Sequence, residues 1–235
     1  MNRVYHQWHS PRLNRSMELL EFGHAGMPVL VFPTSLGKYY EYEDRGMVSA
    51  LSAKIEAGYL HLYCVDSVDA QSWYNKKAAP WDKIRRHNEY EAYLLYEVLP
   101  LMTGAGGGRI AVTGCSFGGY HAVNFALRHP DVVSHCVSMG GAYDMTSFVG
   151  DYRGEDFYFH QPLMYIPQDD DGWYWERYQE LALILATGEK DICRHDNERL
   201  SGVLSGRSIP HKLDVWGDGT GHDWPWWQQM ARTYF

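Results

Sequence analysis

Four cysteines in 235 residues (Cys64, Cys115, Cys136 and Cys193) are too few and too scattered for a disulfide framework, and none forms a CxxC pair. Three of them lie in or beside apolar, strand-like runs, where a cysteine serves as a small buried hydrophobe. Positive charge is also scarce. Lysine and arginine number 21 against 29 acidic residues, and the net charge of −8 argues against nucleic acid or an anionic membrane as partner. No segment approaches 18 consecutive apolar residues. The polar segment Met1 to Ser16, broken by Pro11, has no apolar core of a secretory signal. A soluble, cytoplasmic protein is expected. Asn14-Arg15-Ser16 fits a glycosylation sequon, which means little in that setting. Neither GxGxxG nor GxxxxGK followed by Ser or Thr occurs, which disfavours a phosphate-cradling loop. No internal repeat or low-complexity linker divides the chain, so residues 1–235 are expected to form a single domain.

What is there is an alternation of short apolar runs and helical patterns, the signature of a mostly parallel sheet covered by helices. Met17 to Phe22 reads as an early strand paired antiparallel with the segment before Pro11. Val29 to Phe32 suits a buried central strand. Val48, Leu51 and Ile55 predict a helix, His61 to Val65 a strand, and Tyr90, Leu94, Val98 and Leu101 a second helix that the glycines of residues 104–108 end. Further strands are expected at Ile110 to Val112, Cys136 to Met139, Leu181 to Ala186 and Leu213 to Trp216. Residues 143–180, rich in aromatic and acidic side chains, read as a short cap-like insertion.

Gly114-Cys115-Ser116-Phe117-Gly118 matches G-x-S-x-G, with a strand before it and a helix after it. The chemistry needs this pattern because a sharp strand-to-helix turn strains its central residue and leaves no room for side chains two positions away. Ser116 is thereby lifted to the carboxyl end of the sheet as a candidate nucleophile. A hydroxyl is a poor nucleophile until a base takes its proton. His222, in Gly219-Thr220-Gly221-His222-Asp223-Trp224 after the last strand, is placed to be that base. The acid expected between them is Asp191, just past the strand Leu183 to Ala186. Asp196, which could equally cap a helix, is the runner-up, and Asp144 a third candidate. An oxyanion hole needs two backbone N–H groups, expected from Phe117 and from Ser35 or Leu36 in the loop after Phe32.

These residues resemble the "putative esterase" family of α/β-hydrolases, which includes esterase D type enzymes, feruloyl esterases and mycolyltransferases. The likeness covers most of the chain. It is densest from Gly114 to Pro130, with Tyr120, His121-Ala122 and Arg128-His129-Pro130 after the elbow, and it continues at Gly188-Glu189-Lys190-Asp191 and Gly221-His222-Asp223-Trp224. The resemblance implies the α/β-hydrolase fold and a Ser–Asp–His mechanism without cofactor. By position it carries the nucleophile to Ser116, the acid to Asp191 and the base to His222. The sequence departs in having Pro33-Thr34-Ser35 where many hydrolases carry His-Gly, and in lacking a large lid segment.

A serine carboxylesterase acting on a small-molecule ester is therefore expected. An acyltransferase on the same three residues is the first alternative and a non-catalytic binding protein the second; self-association is left open. Aromatic residues, at 15%, cluster from Tyr143 to Trp175 and at Trp224, Trp226 and Trp227, and Tyr39, Tyr143, Phe148 and Trp224 are the expected substrate contacts. No metal site is expected. Asp169-Asp170-Asp171 lacks ligand-loop spacing and reads as a solvated acidic loop, and His6, His9 and His24 lack metal-ligand spacing. Cys115 is expected in the core, and nothing marks Cys193 as reactive.

Overall fold

The computed structural model describes residues 1–104, 107–168 and 170–235. Its frame is one sheet of eight strands: β1 (Arg3–Ser10), β2 (Arg15–Phe22), β3 (Met27–Phe32), β4 (Leu60–Val65), β5 (Ile110–Cys115), β6 (Val133–Met139), β7 (Ala182–Gly188) and β8 (Lys212–Trp216). Their spatial order is β1-β2-β4-β3-β5-β6-β7-β8. β1 and β2 form an antiparallel hairpin that pairs antiparallel with β4, and every later pairing is parallel. The helices are α1 (Glu41–Asp44), α2 (Met47–Ala50), α3 (Ser52–Glu56), α4 (Pro80–Tyr93), α5 (Leu99–Thr103), α6 (Phe117–Arg128), α7 (Thr146–Val149), α8 (Glu155–Tyr158), α9 (Pro162–Tyr165), α10 (Gly172–Tyr178), α11 (Arg194–Gly206) and α12 (Trp224–Tyr234).

The interior strands are apolar throughout because both faces of the sheet are covered. On β3, Val29 and Val31 enter one core with Leu62, Cys64, Ala111, Cys115 and Met230 of α12. Leu30 and Phe32 alternate into the other with Val65, Val112, Tyr90 of α4 and Val123 of α6. Each valine, leucine, phenylalanine or methionine among them contributes about 1.5–3 kcal/mol when fully buried. α6 is apolar nearly all round and buried along its length except at Arg128, which suits a helix packed between the sheet and an outer layer.

Both expected helices are interrupted. The first breaks into α1, α2 and α3, with Gly46 left-handed at φ 73° between the first two, yet Met47, Val48, Leu51 and Ile55 still reach the core. The second runs as α4, passes through one π-helical stretch at Leu94–Val98 and resumes as α5. Pro100 cannot supply the i→i−4 bond and its ring crowds the preceding turn; a widened turn accommodates both. The extra residue rotates the phase, so that Met102 is buried where Leu101 was expected, and Leu101 faces solvent. Of the glycine-rich stretch after it, Gly104 closes α5 with φ 62°, while Ala105 and Gly106 lie outside the described residues.

The insertion folds as α7 to α10 with a 3-10 turn at Ile166–Gln168. It lies along the outer flank of α4, α6 and α11. Tyr120 donates to the His160 carbonyl (3.0 Å), Tyr178 to that of Leu127 (2.9 Å) and Arg128 to that of Phe159 (2.9 Å). Of the acidic triplet, Asp169 lies outside the described residues; Asp170 pairs with Arg207 and Asp171 caps α10. At its centre, Glu91 of α4 accepts from Arg128 (2.8 Å) and His129 (3.0 Å) of the α6 end.

Candidate active site

The elbow is built as the glycine pattern requires. Ser116 sits at φ 55°, ψ −122°, a strained conformation for a residue with a side chain, and its N–H is tied to the Met139 carbonyl at 2.9 Å. A Cβ on Gly114 would run into the Gly118 backbone, and one on Gly118 would come 2.6 Å from the Phe32 and Pro33 carbonyls. Gly119 clears the way for the Ser138 hydroxyl and for Gly141, letting α6 lie against β6.

His222 and Asp191 reach Ser116 from two other loops. The His222 Nε2 stands 2.9 Å from the Ser116 hydroxyl, and its Nδ1 2.8 Å from Asp191 Oδ1. The Asp191 side chain is fully buried, whereas that of His222 is 16% exposed. The two loops are stitched together: Lys190 N–H donates to the Thr220 carbonyl (2.9 Å), Glu189 N–H to that of Trp216 (2.8 Å), and Gly219 N–H to the Glu189 carboxylate (2.7 Å). Gly188 packs so closely on the Thr220 backbone that a methyl group there would collide. Asp191 Oδ1 also accepts from the Cys193 N–H at 2.7 Å. The other two acids work elsewhere. Asp196 accepts from the N–H groups of Tyr143 (2.9 Å) and Asp144 (3.2 Å), while Asp144 binds Thr146, Gln161 and Arg199. Burial pushes the Asp144 carboxyl up, but Thr146 and Arg199 outweigh it and hold it below the usual range.

Two residues that pattern reading missed close the back of this line. Gly140 takes φ 60°, and a Cβ there would come 2.6 Å from Asp191 Oδ2 and 3.1 Å from His222 Nδ1. Trp227 of α12 meets the His222 ring edge-on, with centroids 4.9 Å apart. Neither Asp191 Oδ2 nor Trp227 Nε1 has a hydrogen-bond partner among the described residues.

Next to the elbow, the loop after β3 turns at Thr34–Gly37, closed by a 2.9 Å bond from Gly37 N–H to the Thr34 carbonyl. The Glu41 carboxylate takes both the N–H and the hydroxyl of Thr34 at 2.8 Å, so the next donors along the loop are Ser35 and Leu36. Leu36 holds φ 59° and is 50% exposed, a conformation costing of order 1–3 kcal/mol for a non-glycine residue. Phe117 begins α6, and the first N–H groups of a helix have no partner within it. Tyr74 joins the two donors' neighbourhoods: its hydroxyl donates to the Ser35 hydroxyl (2.7 Å) and its ring packs on Phe117 (5.2 Å) and Phe148 (5.0 Å). No local pattern marks Tyr74, whose partners lie 39, 43 and 74 residues away.

Of the four expected substrate contacts, Phe148 lies on this wall against Phe117 at 5.4 Å. Trp224 is half-buried at the start of α12, between Trp227 (5.0 Å) and Arg45 (5.6 Å). Tyr143 is corrected: its ring is fully buried and its hydroxyl is bonded to Ser138 (2.6 Å) and Asn197 (3.4 Å), so it has no surface to offer a ligand. Tyr39 is half-buried in the loop after β3, with its ring toward Tyr5 (5.9 Å) and its hydroxyl toward Glu18 of the β1–β2 hairpin.

Two clusters among the described residues bring three potential metal ligands together: His87, Glu91 and His160, and Asp191, Cys193 and His222. In the first, Glu91 is already neutralised by Arg128, whose guanidinium would oppose a second cation. The second belongs to the site itself. Cys115, beside the nucleophile, is in the core as expected.

The fold has counterparts among known proteins. A ferulic acid esterase superposes with a TM-score of 0.77 at 16% identity, covering 99% of this chain and 95% of the other. The fluorophosphonate-binding serine hydrolase F of Staphylococcus aureus gives 0.73 at 17%, covering 99% and 96%, and that organism's S-formylglutathione hydrolase 0.71 at 16%, covering 99% and 94%. Such identities speak for a shared fold. A search of curated proteins gives no significant match. The model of the family described as "Putative esterase" matches residues 64–231, a single span holding the elbow, the Asp191 loop and the His222 loop. The chain belongs to that family, as an ester hydrolase of the α/β-hydrolase fold.

Proposed function

We propose that the protein is a carboxylesterase that cleaves a small-molecule ester through Ser116, His222 and Asp191 by way of an acyl-enzyme. The observation that carries this reading is the unbroken line from the Ser116 hydroxyl through both nitrogens of His222 to Asp191 Oδ1, with steps of 2.9 and 2.8 Å. His222 Nε2 takes the serine proton as Oγ attacks the ester carbonyl, and Asp191 holds the proton on Nδ1 and stabilises the imidazolium that forms. The developing oxyanion is met by the Phe117 N–H and by that of Ser35 or Leu36. The alcohol leaves with the proton from Nε2. A water activated by the same nitrogen then releases the acid.

Ser116 and His222 both keep exposed surface, so water reaches the acyl-enzyme, which favours hydrolysis over transfer to an alcohol. Tyr74 and Phe148, half-buried and packed on the buried Phe117 ring, offer an aryl or acyl group an apolar surface, in keeping with a ferulic acid esterase among the structural relatives. Four free thiols support a reducing, cytoplasmic setting. The test is hydrolysis of a p-nitrophenyl ester series, acetyl to long acyl, with and without an added alcohol. Wild type should turn over at least one ester mainly to free acid, and Ser116→Ala should lose roughly 10⁴–10⁶ in kcat. A Ser116→Ala variant as fast as wild type would sink the proposal.

A further inference from the structure

Cys193 has no part in the proposed hydrolysis, yet it stands against the two residues that prepare the nucleophile. Asp191 Oδ1 accepts from the Cys193 N–H, and this tight turn folds the thiol back beside the carboxylate. Sγ of Cys193, a carboxylate oxygen of Asp191 and an imidazole nitrogen of His222 all lie within 4.8 Å of one another. Sulfur, imidazole nitrogen and carboxylate oxygen are the three donor types that hold zinc, at about 2.0–2.3 Å each. Asp191 has a donor to spare, since its fully buried Oδ2 has no partner among the described residues. Cys193 and His222 are only partly buried, so an ion and a completing water have a way in.

We infer that Asp191, Cys193 and His222 form an inhibitory site for a thiophilic divalent cation, of which zinc is the type. The inference rests on the reading of His222 as the base. Binding breaks the S–H bond, forms a Zn–S bond and releases that proton to solvent. If the ion takes Nδ1 of His222, the ring proton moves to Nε2, which can then only donate to Ser116; if it takes Nε2, the base is occupied outright. In both cases the serine keeps its proton. A hard cation such as Mg²⁺, which prefers oxygen, has no reason to stay.

Two arms test this and keep it separable from the hydrolase reading. In the first, zinc chloride is titrated calorimetrically into Ser116→Ala protein, where no turnover is needed. One ion per chain is expected, with about one proton released per ion as read from buffers of different ionisation heat. Affinity should fall about tenfold or more when Cys193→Ala is added. Cys193→Ser, similar in size, guards against a folding defect. In the second arm, the zinc concentration that halves ester hydrolysis is measured for each protein against its own zinc-free rate. It should rise about tenfold or more in both cysteine variants, with EDTA restoring the rate and Mg²⁺ leaving it unchanged. Zinc uptake indifferent to Cys193 would overturn the inference, because the ions would then sit on other histidines. So would Cys193-dependent uptake that left turnover intact. A protein that turned over no ester even without zinc would remove the hydrolase reading, and the calorimetry alone would decide the site.

Discussion

Asp191 and Asp196 stand five residues apart, and their surroundings give them different work. The first is fully buried against His222; the second accepts two backbone N–H groups where the insertion begins. Asp191→Asn should therefore lower kcat by about 10³–10⁴, because an amide can hold the imidazole in the wrong tautomer. Asp196→Asn should leave kcat within a few-fold and cost about 1–2 kcal/mol of stability. Steady-state kinetics beside urea unfolding of both variants checks this, and a reversal of the two outcomes would reassign the acid. Local signals nominated Ser116, whose glycines sit at fixed offsets, and His222 and Asp191, which follow strands, and the structure brings the three side chains within hydrogen-bond distance. They were mute for Gly140, Trp227 and Tyr74, whose roles come from atoms distant in sequence: Gly140 is glycine because Asp191, 51 residues on, needs the space. Tyr143 misled because an aromatic residue after a strand can as well turn inward, as this one does toward Ser138.

Among the elements, the joint between α4, the end of α6 and the insertion holds buried titratable groups: Glu91 with Arg128 and His129, and the imidazoles of His87 and His160. Burial drives the His160 imidazole down to about 3 from an ordinary 6.5, and lowers His87 further along α4 as well. The folded value lies below the unfolded one, so the unfolded chain takes up protons first as pH falls. Stability is then present above about pH 6.5 and declines toward pH 3, by at most ~1.4 kcal/mol per unit for each proton. Burial pushes the Glu91 carboxyl up, but His129 and Arg128 outweigh it and hold it well below the usual carboxylate range, which adds loss in the same direction at lower pH. Melting temperatures from pH 8 to 4.5 should fall on acidification, and His160→Gln should flatten the limb below 6.5; parallel curves would contradict this origin. The strands were readable from apolar runs. The π-helical stretch was not, because a helical pattern carries no mark of one added residue until the phase after it is seen, as Leu101 and Met102 show. The insertion's lateral position was hidden too, since its anchors Tyr120, Arg128 and Tyr178 declare themselves only when paired.

At the scale of the whole molecule, a single sheet runs from Arg3 to Trp216, and its interior strands feed both cores at once. Opening either face strips side chains from strands that the other face also needs. We therefore propose that the chain unfolds as one unit, with tryptophan fluorescence and far-ultraviolet circular dichroism giving coincident midpoints in urea. Two resolved transitions would instead divide the chain into separately stable parts. The largely parallel sheet was legible from continuous apolar runs; the insertion of β4 between β2 and β3 was not, because register between distant strands leaves no local trace. No helix among the described residues is long and apolar enough to cross a membrane.

The seam between the Glu189–Asp191 and Trp216–Thr220 loops has a consequence in time as well as in space. Amides that share a cooperative opening unit exchange with solvent deuterium at a common rate. Lys190, Glu189 and Gly219, each donating across the seam, are expected to form one such unit, so the Asp191 and His222 loops should open together. Widening Gly188 to alanine, which would collide with the Thr220 backbone, should speed exchange at all three amides by a similar factor.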